Sequence, residues 1–164
     1  MSKLFHRVNL LLGEETVQKF GSLRVIILGL GGVGSWCAEG LVRNGPKKLT
    51  LVDYDTITET NCNRQLPATS KTIGRYKTDV LKERFEEINP DVEISVRSEV
   101  YSPANSELFH LSDYDVIVDC IDSMQCKMHL IREATKTDAF FISSIPFCFI
   151  YSFSAKIICA VKVK

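Results

Sequence analysis

The sequence Arg24-Val25-Ile26-Ile27-Leu28-Gly29-Leu30-Gly31-Gly32-Val33-Gly34-Ser35 joins an apolar run to a glycine-rich turn. Gly29, Gly31 and Gly34 have the G-x-G-x-x-G spacing that is typical of a nucleotide-binding strand, turn and helix. Glycines at this spacing let the backbone turn tightly and approach phosphates, and the free N–H groups of the following helix favour negative charge. The stretch therefore predicts a phosphate-binding turn between a buried strand, residues 24–28, and a helix over residues 33–43.

A second predicted strand, residues 48–53, ends in an acidic residue. Asp53 follows the last glycine of the turn by about 20 residues, which is where an acidic side chain holds a ribose hydroxyl in dinucleotide-binding folds. The order of strand, turn, helix, strand and acid strengthens the prediction of a nucleotide site, because a glycine run alone is equally compatible with a tight turn.

Length and composition indicate one globular domain. The 164 residues are 45% hydrophobic and 24% charged, which are ordinary globular values. The formal net charge is zero, so bulk electrostatics give no support for nucleic-acid binding, although a local patch would suffice. The six cysteines form no C-x-x-C pair, which argues against zinc, and the N-terminal residues resemble no secretory signal. We therefore expect a cytoplasmic protein with no membrane segment in this chain.

Predicted strands alternate with predicted helices along the chain. Further strands are expected at 92–96, 116–122, 139–142, 149–153 and 156–163, and helices at 14–20, 76–88, 103–110 and 124–135, the third of them capped by Ser102. This alternation predicts an α/β fold, a doubly wound Rossmann-like parallel sheet with helices on both faces. Residues 1–22 are expected to form an N-terminal helical arm, and residues 23–164 a nucleotide-binding domain.

The carboxyl ends of the first, second and fourth strands are expected to line one crevice. Parallel strands end at the same edge of a sheet, so Gly31, Asp53 and Asp122 should meet there although they are distant in sequence. The polar segment 55–74 is long for a loop in a compact domain, which is the usual sign of a functional segment. We therefore expect the chemistry to lie in this crevice and loop.

Five segments occur in an order that resembles a known enzyme superfamily. They are the glycine turn, residues 53–65 with Thr60-Asn61-Cys62-Asn63-Arg64-Gln65, Ile73-Gly74-Arg75-Tyr76-Lys77, Ile88-Asn89-Pro90, and Asp119-Cys120-Ile121-Asp122-Ser123. The series resembles the adenylating superfamily that contains ubiquitin-activating enzymes and the bacterial activators of sulfur-carrier proteins. The turn ending in Ser35-Trp36, the Asn61 loop and the Asp122-Ser123 pair are most similar to the tRNA threonylcarbamoyladenosine dehydratases.

The resemblance implies roles for individual residues. It implies ATP and Mg²⁺ as cofactors, with Asp122 on magnesium and with Arg64, Lys77 and Asp122 as the catalytic residues. The implied ATP-binding residues are Gly29, Gly31, Gly32, Gly34, Asp53, Asp55, Asn61, Arg64, Gln65 and Lys77, together with Arg7, which would reach the ATP of a neighbouring subunit in a homodimer. The alternatives are that Asp53 and Asp122 only cap the ends of their strands, that Arg7, Arg64 and Lys77 are solvated surface charges, and that Gln65 only supports its loop. Lys127 matches a lysine of the dehydratases, but the resemblance assigns it no role.

The implied function is an ATP-dependent tRNA-modifying enzyme. It would adenylate the threonyl carboxylate of threonylcarbamoyladenosine in tRNA and promote a cyclising dehydration. No enzyme thiol is required, so a packing role is expected for Cys62. Residues from about 143 depart from the superfamily pattern, which suggests a shortened C-terminal end. Two alternatives stay open: an adenylyltransferase for the C-terminus of a ubiquitin-like sulfur-carrier protein, with a sulfur-transfer partner, and a truncated non-catalytic nucleotide-binding remnant.

Overall fold

The computed structural model of the chain describes residues 3–145 and 157–161. Its strands are β1 Arg24–Leu28, β2 Lys48–Val52, β3 Glu93–Arg97, β4 Val116–Asp119, β5 Phe140–Ile145 and β6 Ile157–Val161. Its α-helices are α1 His6–Leu12, α2 Glu14–Ser22, α3 Gly34–Asn44, α4 Lys77–Ile88 and α5 Met124–Ala134. No helix in this described part is both long and apolar enough to cross a membrane.

The strands form one six-stranded sheet in the order β3-β2-β1-β4-β5-β6. β1 to β5 pair in parallel, as the alternation of elements predicted, and β6 pairs antiparallel with β5 at the edge. The chain moves outward from β1 to β3 and then crosses back to β4. This reversal opens a crevice at the carboxyl ends of β1 and β4, which is the usual ligand position in open α/β sheets.

The apolar run of β1 is continuous because both faces of the sheet are covered. Val25 and Ile27 pack into one core with α3 and α4, in which Phe85 is fully buried. Ile26 and Leu28 pack into the opposite core with α5. The side chains of these four apolar residues of β1 are at most 1% exposed. The prediction of helices on both faces is therefore confirmed, and a strand buried on both sides needs no alternation of polar residues.

The predicted helix over residues 103–110 is wrong. Two short 3₁₀ turns, Ser106–Phe109 and Leu111–Asp113, occupy this part of the chain. The amide of Asn105 explains the difference, because its oxygen accepts from both the N–H and the hydroxyl of Ser102 while its nitrogen donates to the carbonyl of Val100. A polar side chain that satisfies nearby backbone groups in this way competes with helix formation, so Ser102 caps no helix.

Other elements differ from the prediction at their ends. β4 ends at Asp119 and not at residue 122, because a carboxylate oxygen of Asp119 accepts a hydrogen bond from the N–H of Ile121 and the chain turns. Helix α2 continues to Ser22, and α1 precedes it within the expected helical arm of residues 1–22, where the sequence pattern set no separate bounds for it. The last predicted strand is present as β6, whereas the one at 149–153 lies outside the described residues.

Candidate nucleotide-binding site

A cavity of about 570 Å³ lies at the carboxyl ends of β1, β2 and β4. It brings together Gly31, Asp53 and Asp122, as the sheet topology predicted. Its lining contains most of the other predicted residues: Gly29, Gly32, Asp55, Asn61, Arg64, Gln65 and Lys77. Gly34, at the start of α3, and the exposed Arg7, on α1, are absent from the lining of this cavity.

The glycines of the turn have different structural tasks. Gly29 has φ +91°, and a Cβ there would lie 2.5 Å from the carbonyl oxygen of Cys120. A Cβ on Gly34 would lie only 1.8 Å from the carbonyl oxygen of Gly29, so these two glycines let the turn close. A Cβ on Gly31 would meet no atom nearer than the Gln65 amide nitrogen at 3.9 Å. Gly31 therefore leaves open space in the cavity wall, where a ligand can approach the backbone.

The first turn of α3 holds the polar loop against the glycine turn. The hydroxyl of Ser35 donates to the carbonyl of Gly31 at 2.6 Å and accepts from the N–H of Leu66 at 3.2 Å. The indole N–H of Trp36 donates to the carbonyl of Arg64 at 3.1 Å. The dipeptide Ser35-Trp36 therefore fixes the segment that carries Arg64 beside the glycines.

Asp53 is buried at the end of β2, and its carboxylate organises the backbone around it. One oxygen accepts from the N–H of Leu30 at 2.7 Å and the other from the N–H of Asp55 at 2.8 Å. Burial raises the pKa of this carboxyl, and the two backbone hydrogen bonds and the Lys77 charge partly oppose that rise. Asp53 thus has a structural role at its strand end, because it fixes the glycine turn itself. Its predicted contact with a ribose stays a prediction.

Lys77 is the buried cation of the cavity. Its side chain, 4% exposed, donates to Asp55 at 2.7 Å and lies 3.8 Å from the carboxylate of Asp53. The lysine is therefore no solvated surface charge, and that alternative is wrong for this residue. Two carboxylates hold its ammonium group at the wall of the cavity.

Among the described residues, Arg64 has N–H donors and Gln65 has an amide oxygen that make no hydrogen bond. The exposed guanidinium of Arg64 donates from one nitrogen to the carbonyl of Thr60 and to the side chain of Asn63, at 2.8 and 3.0 Å. A guanidinium has five N–H groups, so donors remain for an anion. The amide oxygen of Gln65 is buried and accepts no hydrogen bond from the described residues. An unpaired buried acceptor at a cavity wall is the signature of a group that awaits a ligand or water.

Asp122 presents an exposed carboxylate to the cavity, and among the described residues nothing donates a hydrogen bond to it. The same described residues hold no cluster of three metal-ligating side chains. Mg²⁺ is commonly held by one or two carboxylates plus the phosphates of a nucleotide, and not by a cage of protein ligands. The donor set therefore fits a magnesium ion that enters with a nucleotide.

Two further residues correct or extend the predicted site. Cys62 is exposed and is absent from the cavity lining, so the expected packing role is wrong. Tyr101 was not predicted, but it lines the cavity at 3% exposure and shares a 3.1 Å hydrogen bond with Nδ1 of His129. Burial raises the pKa of the Tyr101 phenol.

The glycine turn, the acid after β2 and the cations beside it define an α/β nucleotide-binding domain. Within that class, the chain matches the ThiF family over residues 6–151 and belongs to it. This membership confirms the superfamily resemblance that the five sequence segments carried.

Several proteins and solved structures that match the chain are tRNA threonylcarbamoyladenosine dehydratases. A tRNA threonylcarbamoyladenosine dehydratase of Bacillus subtilis is 38% identical over 141 residues, which cover 86% of this chain and 56% of that protein. The dehydratase of Haemophilus influenzae is 39% identical over 127 residues, 77% of this chain and 49% of that protein. The crystal structure of the E. coli dehydratase TcdA in complex with ATP matches with a TM-score of 0.85 at 32% identity, covering 91% of this chain and 62% of that chain. The chain thus spans about half the length of the curated relatives it matches.

Proposed function

We propose that this chain is the ATP-binding part of an enzyme that adenylates the threonyl carboxylate of threonylcarbamoyladenosine in tRNA. The observation that carries the proposal is the cavity in which a phosphate-binding turn meets free guanidinium donors, a buried lysine and an exposed carboxylate. The similarity to dehydratases, one of them solved with ATP, supports this substrate over other carboxylates. A tRNA substrate also supports the expected cytoplasmic location.

The proposed reaction needs positive charge around a phosphate. A carboxylate oxygen attacks the α-phosphorus, a C–O–P linkage forms, and the bond to pyrophosphate breaks, so negative charge grows on the phosphate oxygens. Arg64 and Lys77 meet that charge from fixed positions, and Asp122 holds the metal. Mg²⁺, when bound, neutralises phosphate charge and aligns the leaving group. The carbamoyl group of the same threonylcarbamoyl unit then attacks the activated carbonyl and gives up one proton, while AMP leaves with one carboxylate oxygen, so the product is cyclised with a net loss of water.

The same proposal assigns the nucleotide contacts. The open wall at Gly31 and the N–H groups after it receive phosphates, and Asp53 accepts from the ribose. Gln65 has the unpaired acceptor that a ligand donor would satisfy. Asn61 lies beside Arg64 in the loop that lines the cavity.

A second subunit completes this proposal. Arg7 lies on the exposed surface of α1 and is absent from the cavity of its own chain. A role at ATP therefore requires a neighbouring chain, and we propose a homodimer in which the arm of residues 1–22 reaches across. Gel filtration with light scattering tests this directly: a monomer at working concentration contradicts the role of Arg7.

AMP release tests the proposed function. The purified chain is supplied with ATP and Mg²⁺ together with threonylcarbamoyladenosine-modified tRNA, with a carrier protein that ends in Gly-Gly, or with neither. The proposal predicts AMP only in the presence of the modified tRNA, with unmodified tRNA as the matched control. Dependence on the carrier would assign the chain to carrier activation instead. ATP binding without AMP in any arm would identify a nucleotide-binding remnant that lacks the reaction.

A further inference from the structure

Lys127 forms an ion pair in the interior of the protein, behind the cavity. Its ammonium nitrogen lies 2.6 Å from a carboxylate oxygen of Asp119, and the two side chains are 1% and 0% exposed. The same nitrogen donates to the backbone carbonyl of Ser144 at 3.0 Å and to the hydroxyl of Ser143 at 3.4 Å. Three N–H groups thus meet three acceptors, so the ammonium is fully satisfied in one fixed position.

This network ties three elements together at one edge of the sheet. Asp119 ends β4, Ser143 and Ser144 belong to β5, and Lys127 projects from α5. The hydroxyl of Ser143 also donates to Asp119 at 2.7 Å, to the oxygen that Lys127 contacts. A buried ion pair is weak evidence for stability, since apolar residues of similar volume often serve as well. The ion pair is more informative for the position of the turn over residues 119–122, which follows β4.

Asp122 lies at the end of the turn over residues 119–122, and the side chain of Asp119 is hydrogen-bonded to the backbone of this turn. The second oxygen of Asp119 accepts from the N–H of Ile121 at 3.0 Å, and the N–H of Cys120 donates to the carbonyl of Leu28 at 2.8 Å. Two consecutive amides before Asp122 are therefore held, one by β1 and one by the partner of Lys127. Asp122 itself is exposed and gains no hydrogen bond from the described residues, so its position depends on this backbone.

We infer that Lys127 is a positioning residue for the magnesium-binding carboxylate of Asp122, acting through Asp119 and the 119–122 turn. The inference rests on the proposed function, because it takes Asp122 to be the metal ligand. A group that orients a metal ligand typically changes metal affinity or activity by roughly 10- to 100-fold when it is removed. Lys127 never touches the nucleotide in this account, so binding without metal should be preserved.

The test measures how magnesium strengthens nucleotide binding. The affinity for α,β-methylene ATP is determined by calorimetry in EDTA and along a Mg²⁺ titration, well below the melting temperature of each variant. Lys127→Met alone leaves a buried carboxylate without its partner and is prone to unfold, so the double variant Lys127→Met/Asp119→Asn removes both charges together. Asp122→Asn is the positive control, and Lys136→Met, at an exposed lysine after α5, is the matched control.

We expect the folded double variant to bind the analogue in EDTA within about twofold of the wild type, while the Mg²⁺ midpoint rises roughly 10- to 100-fold. Lys136→Met should keep the wild-type midpoint. A wild-type midpoint in the folded double variant overturns the inference. Should that variant not fold, the double variant Lys127→Gln/Asp119→Asn also removes both charges but keeps neutral hydrogen-bonding groups at both positions; a rise in the midpoint supports the inference and an unchanged one overturns it. If Asp122→Asn itself responds to Mg²⁺ like the wild type, the proposed metal site fails, which is a distinct result.

Discussion

Alanine at Gly34 should destabilise the protein more than alanine at Gly40, the other glycine of helix α3. The added Cβ would lie 1.8 Å from the carbonyl oxygen of Gly29 and 3.1 Å from the Cβ of Cys120. Neither obstacle is the end of a flexible side chain, because one is backbone and the other is fixed by its own Cα. The glycine turn and the start of α3 must therefore separate by about 1.6 Å to reach ordinary van der Waals contact, which begins at 3.4 Å.

The free-energy cost of that movement determines how much stability Gly34→Ala should lose. Forcing extra atoms into a packed site typically costs about 1–3 kcal/mol, and a clash with backbone belongs at the upper end, so we expect Gly34→Ala to lose about 3 kcal/mol. For a chain of this size each kcal/mol lowers the melting temperature by about 2–4 °C, which gives a fall of about 6–12 °C. Urea unfolding followed by circular dichroism, with a thermal scan beside it, measures both quantities.

Two alanine variants control for this result. Gly40 is exposed in the middle of α3, and no described atom lies within 4 Å of the place that a Cβ would take, so Gly40→Ala should stabilise the helix by about 0.5–1 kcal/mol. The free energy of unfolding of Gly31→Ala should lie within about 0.5 kcal/mol of the wild-type value. The variant should nevertheless bind ATP at least about tenfold more weakly, because its Cβ enters the space that the phosphates would occupy. Wild-type stability in Gly34→Ala, or wild-type ATP affinity in Gly31→Ala, would refute this account of the turn.

Three further substitutions test other parts of the structure. Arg64→Ala should lower AMP formation by hundreds of fold, about 3–4 kcal/mol in the barrier, with little change in melting temperature since the side chain is exposed. Hydrogen bonds from Arg84 and then Arg43 lower the pKa of Glu39, so its stabilisation exists above the ordinary glutamate pKa and disappears as pH falls through the lowered value. Glu39→Gln should therefore cost about 1 kcal/mol at pH 7, and this cost should vanish as the pH falls through the lowered pKa of Glu39, as measured by urea unfolding. Cys62→Ser should keep full AMP formation, and a large loss would indicate thiol chemistry.

The glycine turn and the acidic residue after β2 could be predicted from the sequence because each depends on a local sequence pattern. The run into Gly29, the spacing to Gly34 and the position of Asp53 each follow from chain geometry over a few residues. The crevice followed from topology alone, since parallel strands end at one edge. Lys77 was predicted only through the family resemblance, and its burial between Asp53 and Asp55 depends on how α4 packs.

The parts that sequence reasoning missed depend on contacts between distant segments or on competing polar side chains. The network of Lys127, Asp119 and Ser143 requires β4 and β5 to pair in register, which no local pattern encodes. Asn105 replaced a helix start with a turn although Ser102-Pro103 is a good helix opening. Helix α1 lies within the expected helical arm, but its bounds could not be set from periodicity, which detects buried faces, because this helix buries no residue.

The nucleotide site is tested most directly by a calorimetric comparison of ATP and NAD⁺ binding to this chain with Mg²⁺ present. ATP should bind with a one-to-one stoichiometry, Gly31→Ala should weaken this binding at least about tenfold in a protein that stays folded, and NAD⁺ should not compete. Binding of NAD⁺ in preference to ATP, or ATP binding that Gly31→Ala leaves unchanged, would contradict the assignment of this cavity to adenylation.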